Sequence, residues 1–403
     1  MSLEVRRAAG PGEVEAAGEI AAEAYRADRL VAPEDPYLTE LADARRRAAE
    51  GILLVAVLEP GAVVGTITLA PYGTSYAETA EPGELELRML AVAPEARRRG
   101  VAEALVRASV REALLLGHRS LVLSTAESMR AAHRLYERLG WRRAPERDWQ
   151  HEEVHVRVYR WRAPEPPGAA VERATWPPLR TERLGAFELG MSGGITRRAC
   201  SASLVGPVAD LGRELAAVEA AYVLAGLVPC VRVEASGPPE LAAALAARGW
   251  RGSGETLVMV RDLEEVPEPA VGVEVSSAPD AAWLHLWSGD RALDGDAGRR
   301  LLTGVPAAYL SVRRDGEVLG VIRVCTVEGW AGLSCLTVRE DARGQGLARA
   351  LLRAALHQGR ADGASRAFSQ VLAHKPGPVA LHEELGFVVA DAYRYAEPPA
   401  PDA

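Results

Sequence analysis

Asparagine is absent from this 403-residue chain, and lysine occurs once, as Lys375. Lys and Arg together number 47, so the cationic side chains are almost all arginine. Loss of asparagine alone would fit heat adaptation, but heat-adapted proteomes tend to gain lysine. The two absences together read as the coding bias of a GC-rich genome. Cysteine is scarce as well. Cys200, Cys230, Cys325 and Cys335 form no C-x-x-C pair, which argues against a disulfide framework or a cysteine-only metal site. No apolar run approaches the roughly 18 residues of a membrane span. Residues 1–10 lack the apolar core of a signal peptide. A cytoplasmic protein with no membrane partner and no metal is the expectation. Excess positive charge is missing too. At a net charge of −8, bulk binding to nucleic acid is not expected. What is present is ordinary globular material, 48% hydrophobic and 25% charged. At about 100–200 residues per domain, the length suits two to four domains.

Residues 1–162 read as a mixed α+β unit. Segments at 3–7, 52–58, 63–70, 84–92, 121–125 and 154–161 read as strands, 3–7 and 154–161 by alternation and 52–58 with 63–70 by the hairpin signal Glu59-Pro60-Gly61, and helical spacing appears at 12–25, 37–50, 102–116 and 129–139. A proline-rich stretch at 163–178 predicts an extended linker. Beyond it the same vocabulary returns. Residues 307–312 and 318–325 repeat the first hairpin, 333–338 and 347–359 repeat strand and helix, and 380–387 repeats the helix ending in Gly and an aromatic residue. A weaker third copy occupies 229–250 and lacks a glycine-rich turn. Such repetition implies duplication. The predicted domains are 1–162, a degenerate segment at 179–268, and 269–397.

The stretch from Leu90 to Ala102 ends a strand, passes Arg97-Arg98-Arg99-Gly100 and opens a helix. A helix start offers unpaired amides and partial positive charge, so it binds phosphate. Gly100 and Ala102 leave room for close backbone approach. The absence of G-K-[ST] excludes a nucleoside-triphosphate P-loop. The second copy carries Arg343-Gly344-Gln345-Gly346-Leu347-Ala348. Each turn is followed downstream by a related helix end, Leu135-Tyr136-Glu137-Arg138-Leu139-Gly140-Trp141 and Leu381-His382-Glu383-Glu384-Leu385-Gly386-Phe387. The order and both motifs resemble the GNAT superfamily of acyl-CoA-dependent N-acyltransferases, in tandem, with a degenerate GNAT-like segment between them.

That resemblance implies two folds, each a mixed, mostly antiparallel sheet with helices on both faces. It implies acetyl-CoA as co-substrate, its pyrophosphate held by Arg97, Arg98, Arg99, Gly100, Val101 and Ala102 in the first copy. Arg343 and Gly344 through Ala348 would hold it in the second. Leu90 and Val92, and Leu336 and Val338, would pair with the pantetheine arm. Tyr136 stands where the family's general acid stands; a core tyrosine bonded to backbone is the alternative. Glu84 and Glu86 alternate on the strand leading to Leu90 and share a face. One of them is expected as general base, with a salt-bridged carboxylate as the alternative. His382 replaces the tyrosine in the second copy, where imidazole can also donate a proton. Its alternative is a helix histidine in a retired site. Cys335 reads as a structural thiol. The expected activity is acetyl transfer to an amine on a small molecule or peptide, with the first domain the better catalytic candidate. The alternative is an acyl-CoA-binding regulatory protein with vestigial turnover.

Overall fold

The computed structural model describes residues 3–59, 61–151, 154–266, 268, 272–289 and 296–399. The chain divides into two units, Met1–Ala163 and Pro164–Ala403.

The first unit runs β1 (Leu3–Arg7), α1 (Pro11–Ala27), α2 (Tyr37–Ala42), α3 (Ala44–Glu50), β2 (Ile52–Leu58), β3 (Ala62–Pro71), β4 (Glu84–Val92), α4 (Val101–Leu115), β5 (Ser120–Ala126), α5 (Arg130–Arg138), β6 (Arg142–Arg143), β7 (Trp149–His151) and β8 (Val154–Arg162). Pro11 opens α1, where its missing N–H costs nothing. Ala17, Ile20, Ala21 and Ala24 form its buried stripe. Gly18 lets α2 approach, because a Cβ there would meet the Ala42 carbonyl oxygen at 2.1 Å. The single helix expected over 37–50 is two. At Asp43 ψ is 67°, which leaves the helical region, and its carboxylate accepts the Arg46 amide at 3.1 Å, capping α3. The sheet order is β1-β2-β3-β4-β5-β8-β6, with β7 also on β8. Among the described residues of this unit only β4 and β5 run parallel.

The second unit runs α6 (Gly168–Thr175), β9 (Arg180–Leu184), β10 (Phe187–Met191), β11 (Ala202–Leu204), α7 (Leu211–Leu224), β12 (Val231–Glu234), α8 (Pro239–Ala247), β13 (Arg251–Asp262), β14 (Val273–Ser276), α9 (Ala281–Ser288), α10 (Ala297–Thr303), β15 (Ala308–Arg314), β16 (Glu317–Val327), β17 (Trp330–Val338), α11 (Leu347–Ala361), β18 (Arg366–Leu372), α12 (Pro376–Glu384) and β19 (Val388–Glu397). All its strands join one sheet, β14-β15-β16-β17-β18-β13-β19-β12-β11-β10-β9.

One expectation fails here. The segment 163–178 is not an extended, exposed linker. Its prolines flank α6, Pro164, Pro166 and Pro167 before it and Pro177 and Pro178 after it, and Val171, Glu172 and Thr175 of that helix are buried, as is Trp176. Proline blocks helix interiors but not the residues leading into one. The segments 179–268 and 269–397 share one sheet. By analogy with β8 beside β5, β13 would lie beside β12 and β19 beside β18. Instead β19 pairs with β12, and β13 pairs with β18. The two halves exchange their last strands, and β13 and β19 then pair with each other.

Three helix ends repeat one geometry. Gly140, Gly249 and Gly386 have φ of 82°, 75° and 81°. The next amide, from Trp141, Trp250 or Phe387, returns to the carbonyl of Tyr136, Leu245 or His382 at 3.0 Å in each case. This is a Schellman closure with a buried aromatic residue behind it. The weak middle copy therefore shares the local structure of the other two.

Candidate active site

In each unit the parallel strand pair separates at the same step. β4 pairs with β5 from Glu84↔Ser120 to Leu87↔Leu123, and β17 pairs with β18 from Trp330↔Arg366 to Leu333↔Ser369. Beyond those pairs a residue of positive φ, Met89 at 53° or Cys335 at 63°, breaks the register with the preceding strand. This is a β-bulge, which bends a strand away from its neighbour. Leu90 and Val92, and Leu336 and Val338, thus lie past the last parallel pair, half-buried.

The strand then turns into a helix. Gly100 and Gly346 are the residues preceding α4 and α11, each at φ 78° and ψ 3°. Arg98 at 58° and Gly344 at 77° are left-handed too. A Cβ on Gly100, Gly344 or Gly346 would meet nothing within 4 Å. The turns are open, not packed corners, and the first amides of α4 and α11 have no acceptor within their own helices. This fits a pyrophosphate, with Val101, Ala102, Leu347 and Ala348 supplying amides. Not every side chain of the motif is available. Arg97 is paired with Asp28 at 2.6 Å, and Arg343 lies 3.5 Å from Glu340. Arg98 and Arg99 are exposed. Gln345 Oε1 accepts from Arg314 at 3.2 Å.

Tyr136 sits on α5 against Tyr159 and Trp141, with ring centroids 5.9 and 6.0 Å away. Burial raises its phenol above the ordinary value, so it stays protonated at neutral pH. Among the described residues its hydroxyl has no hydrogen-bond partner, so it is not the backbone-bonded core tyrosine. Burial raises the Tyr25 phenol above its ordinary value as well, and the Tyr25 ring lies 6.1 Å from Tyr37. Sequence reasoning missed these two tyrosines, since nothing in the helical spacing of 12–25 or 37–50 marks them.

The strand carboxylates are engaged. Glu84, 5% exposed, accepts from Arg147 Nη2 at 2.9 Å, Ser120 Oγ at 3.1 Å and the Glu81 amide at 3.0 Å. Burial opposes its charge, but these donors outweigh burial and hold the carboxyl below its ordinary range. Glu86 is fully buried. Its Oε2 accepts the Thr79 and Ala80 amides at 2.6 and 3.0 Å, and its Oε1 accepts from Arg88 at 3.2 Å. The expected base role meets an obstacle in both, because a base needs access to the amine. Glu84 is the salt-bridged alternative, and Glu86 fastens the 79–80 loop and Arg88.

His382 departs from the expected acid. It is 3% exposed, with Nδ1 2.8 Å from the Pro378 carbonyl and Nε2 3.0 Å from Ser369 Oγ. A carbonyl only accepts, so Nδ1 carries the proton and Nε2 accepts from Ser369. Burial lowers its pKa, leaving the ring neutral with its one N–H committed. Nor is it a surface histidine. Cys335 is half-buried at the bulge. It lines a cleft of about 240 Å³ with Ser334, Trp176, Trp287, Arg198 and Gln370. Of these only Cys335 stood out in the sequence, because Trp176 lies in the segment read as linker.

Residues 168–396, more than half the chain, match the family model described as "Probable histone acetyltransferase Rv0428c C-terminal", and residues 15–141 match the acetyltransferase (GNAT) family. The chain belongs to the GNAT family of acetyltransferases. This GNAT chain is 23% identical over 235 residues to the uncharacterized N-acetyltransferase YobR of Bacillus subtilis, covering 55% of the chain and 94% of that relative. It is 27% identical over 158 residues to a mycothiol acetyltransferase of Streptomyces avermitilis, covering 32% of the chain and 51% of that relative. Among solved structures, a GCN5-related N-acetyltransferase from Kribbella flavida aligns with 59% of the chain and 97% of its own at 17% identity and a TM-score of 0.45. A tandem GNAT protein from the clavulanic acid biosynthesis pathway aligns over 100% of both chains at 15% identity and a TM-score of 0.32. Among the described residues, no group of three or more His, Cys, Asp or Glu could hold a metal ion, and no helix is long and apolar enough to cross a membrane.

Proposed function

We propose that this GNAT protein moves an acetyl group from acetyl-CoA to an amine on a small molecule or peptide, and that turnover resides in the first unit. The observation that carries this reading is the combination in one unit of three features. The β4–β5 separation follows Leu87, the open Gly100 turn faces it along the chain, and Tyr136 keeps an unengaged hydroxyl. Acetyl-CoA supplies the activated thioester. The turn amides at Gly100–Ala102 hold its pyrophosphate, with Arg98 and Arg99 adding positive potential. The unpaired edge of β4 at Leu90–Val92 orients the arm. The amine nitrogen bonds the acetyl carbon as the C–S bond breaks, Tyr136 gives its proton to the departing thiolate, and the proton that the amine loses restores the phenol. Glu86 acts by positioning: it fixes Arg88, which also binds Glu78 at 2.8 Å, and the loop that borders them.

The second unit keeps the turn but commits its histidine proton to a carbonyl. That favours binding over turnover there, the regulatory reading confined to one half. The test is steady-state release of CoA thiol from acetyl-CoA with a panel of amines. Turnover that survives intact in a Tyr136→Phe variant contradicts the assignment.

A further inference from the structure

The cleft in the second unit lies beside the β17 bulge, at Ser334 and Cys335, and is walled by Trp176, Trp287, Tyr393 and Tyr395. Trp176 and Trp287 meet edge to face at 6.4 Å, and the two tyrosines do so at 5.4 Å. These are flat apolar surfaces, suited to a ring.

Two unmet demands face this space. The first is Gln370. Its Nε2 donates to Glu172 Oε2 at 2.5 Å, and the same oxygen accepts from Arg232 at 2.7 Å. A carboxylate held by a buried arginine only accepts, so the amide orientation is fixed. Gln370 Oε1 therefore points away from Glu172, and it is buried with no partner. It calls for an N–H or O–H donor.

The second is positive charge without a counter-ion. Arg198 lines the cleft and stands 5.4 Å from the centroid of Trp176; Arg323 does not line it but stands at the same distance from that ring. Arg323 is 1% exposed and donates to the carbonyls of Leu302 and Thr175, while its Nη2 has no partner. Among the described residues neither guanidinium has a carboxylate within 4.0 Å. Arg197 differs, since Glu397 neutralises it at 2.9 Å. A basic peptide would bring more positive charge to a cleft that lacks an available carboxylate. A carboxylate-bearing ligand matches it. At about 240 Å³ the space is below the roughly 300–1,000 Å³ of drug-sized sites, so the occupant is small.

We propose that this cleft binds a small aromatic acid that carries an N–H group, of the aromatic amino-acid class. The ring lies among Trp176, Trp287, Tyr393 and Tyr395, the carboxylate faces Arg198, and the N–H meets Gln370 Oε1. The site is distinct from the proposed acetyl transfer in the first unit and does not rest on it.

The test is calorimetric titration of the chain with L-phenylalanine, without acetyl-CoA, alongside its tryptophan emission. One saturable site that shifts the emission is expected. L-Phenylalaninamide, without the carboxylate, and 3-phenylpropanoate, without the N–H, should each bind about tenfold or more weakly. Arg198→Gln should weaken L-phenylalanine by a similar factor and leave L-phenylalaninamide unchanged. Gln370→Leu should weaken L-phenylalanine and leave 3-phenylpropanoate unchanged. The unchanged ligand in each pair reports that the variant is folded, and Arg198→Lys should retain binding. Absence of saturable binding to the native chain overturns the proposal. So does undiminished L-phenylalanine affinity in Arg198→Gln, or equal weakening of all three ligands in either variant.

Discussion

Tyr136 and His382 stand at one step of the same closure, each accepting through its carbonyl the amide of a buried aromatic residue five positions on, Trp141 and Phe387, at 3.0 Å. Their side chains are used in opposite ways. The phenol keeps its proton and has no partner, whereas the imidazole spends its N–H on Pro378 and its lone pair on Ser369. On the proposed reading, a change of one residue type separates a unit equipped to donate a proton from one that is not.

The buried state of His382 makes the second unit sensitive to acid. Burial lowers its pKa below the ordinary value of about 6.5, although the Pro378 contact opposes this. As pH falls below that value the unfolded chain takes up a proton that the folded unit refuses. The residue's contribution to stability is full above that pH and declines on acidification, by up to about 1.4 kcal/mol per pH unit. Denaturant unfolding between about pH 8 and 5 should therefore weaken more steeply in the native chain than in His382→Gln. Parallel pH dependences would contradict this.

Glu84 and Arg147 form a buried pair, with side chains 7% and 10% exposed. Removing one partner leaves the other uncompensated, at a cost of about 3 kcal/mol or more. Glu84→Met should lower the unfolding free energy of the first unit by that order, while kcat stays within about threefold at a temperature where the variant is folded. A general base would behave differently, with a loss of about 10²–10⁴ in rate. A rate loss of that size with an unchanged melting curve would restore Glu84 to the chemistry.

On the proposed reading, the two glycine turns set the number of acetyl-CoA sites. Valine at Gly100 or Gly346 must hold φ near 78°, where side chains cost about 1–2 kcal/mol, and its side chain would stand in the open space at the turn. Calorimetry should find two acetyl-CoA sites in the native chain. Gly100→Val and Gly346→Val should each abolish one. A single site indifferent to both changes would refute the assignment of the turns.

Much of this was legible in the residues, for physical reasons. Strand alternation, the turn glycines and the Gly–aromatic endings are local, and each leaves its period or its left-handed residue in the sequence. Long-range partnership does not. Glu84 looked like a base because nothing near it in sequence showed that Arg147 would neutralise it. The prolines before α6 hid the stripe of Val171, Glu172 and Thr175, and with it Trp176. The exchange of β13 and β19 was equally hidden. Both are alternating strands, and alternation specifies a face but not a neighbour.

The most direct measurement is the rate of CoA thiol release by Tyr136→Phe and His382→Ala, each with the amine that the native chain uses best. Loss of a positioned acid removes about 10²–10⁴ in rate, while the turn at Gly100 keeps its geometry. Tyr136→Phe should therefore lower kcat by that order with acetyl-CoA affinity and melting temperature nearly unchanged, and His382→Ala should lower it far less. A larger loss in His382→Ala than in Tyr136→Phe would contradict the account and move catalysis to the second unit.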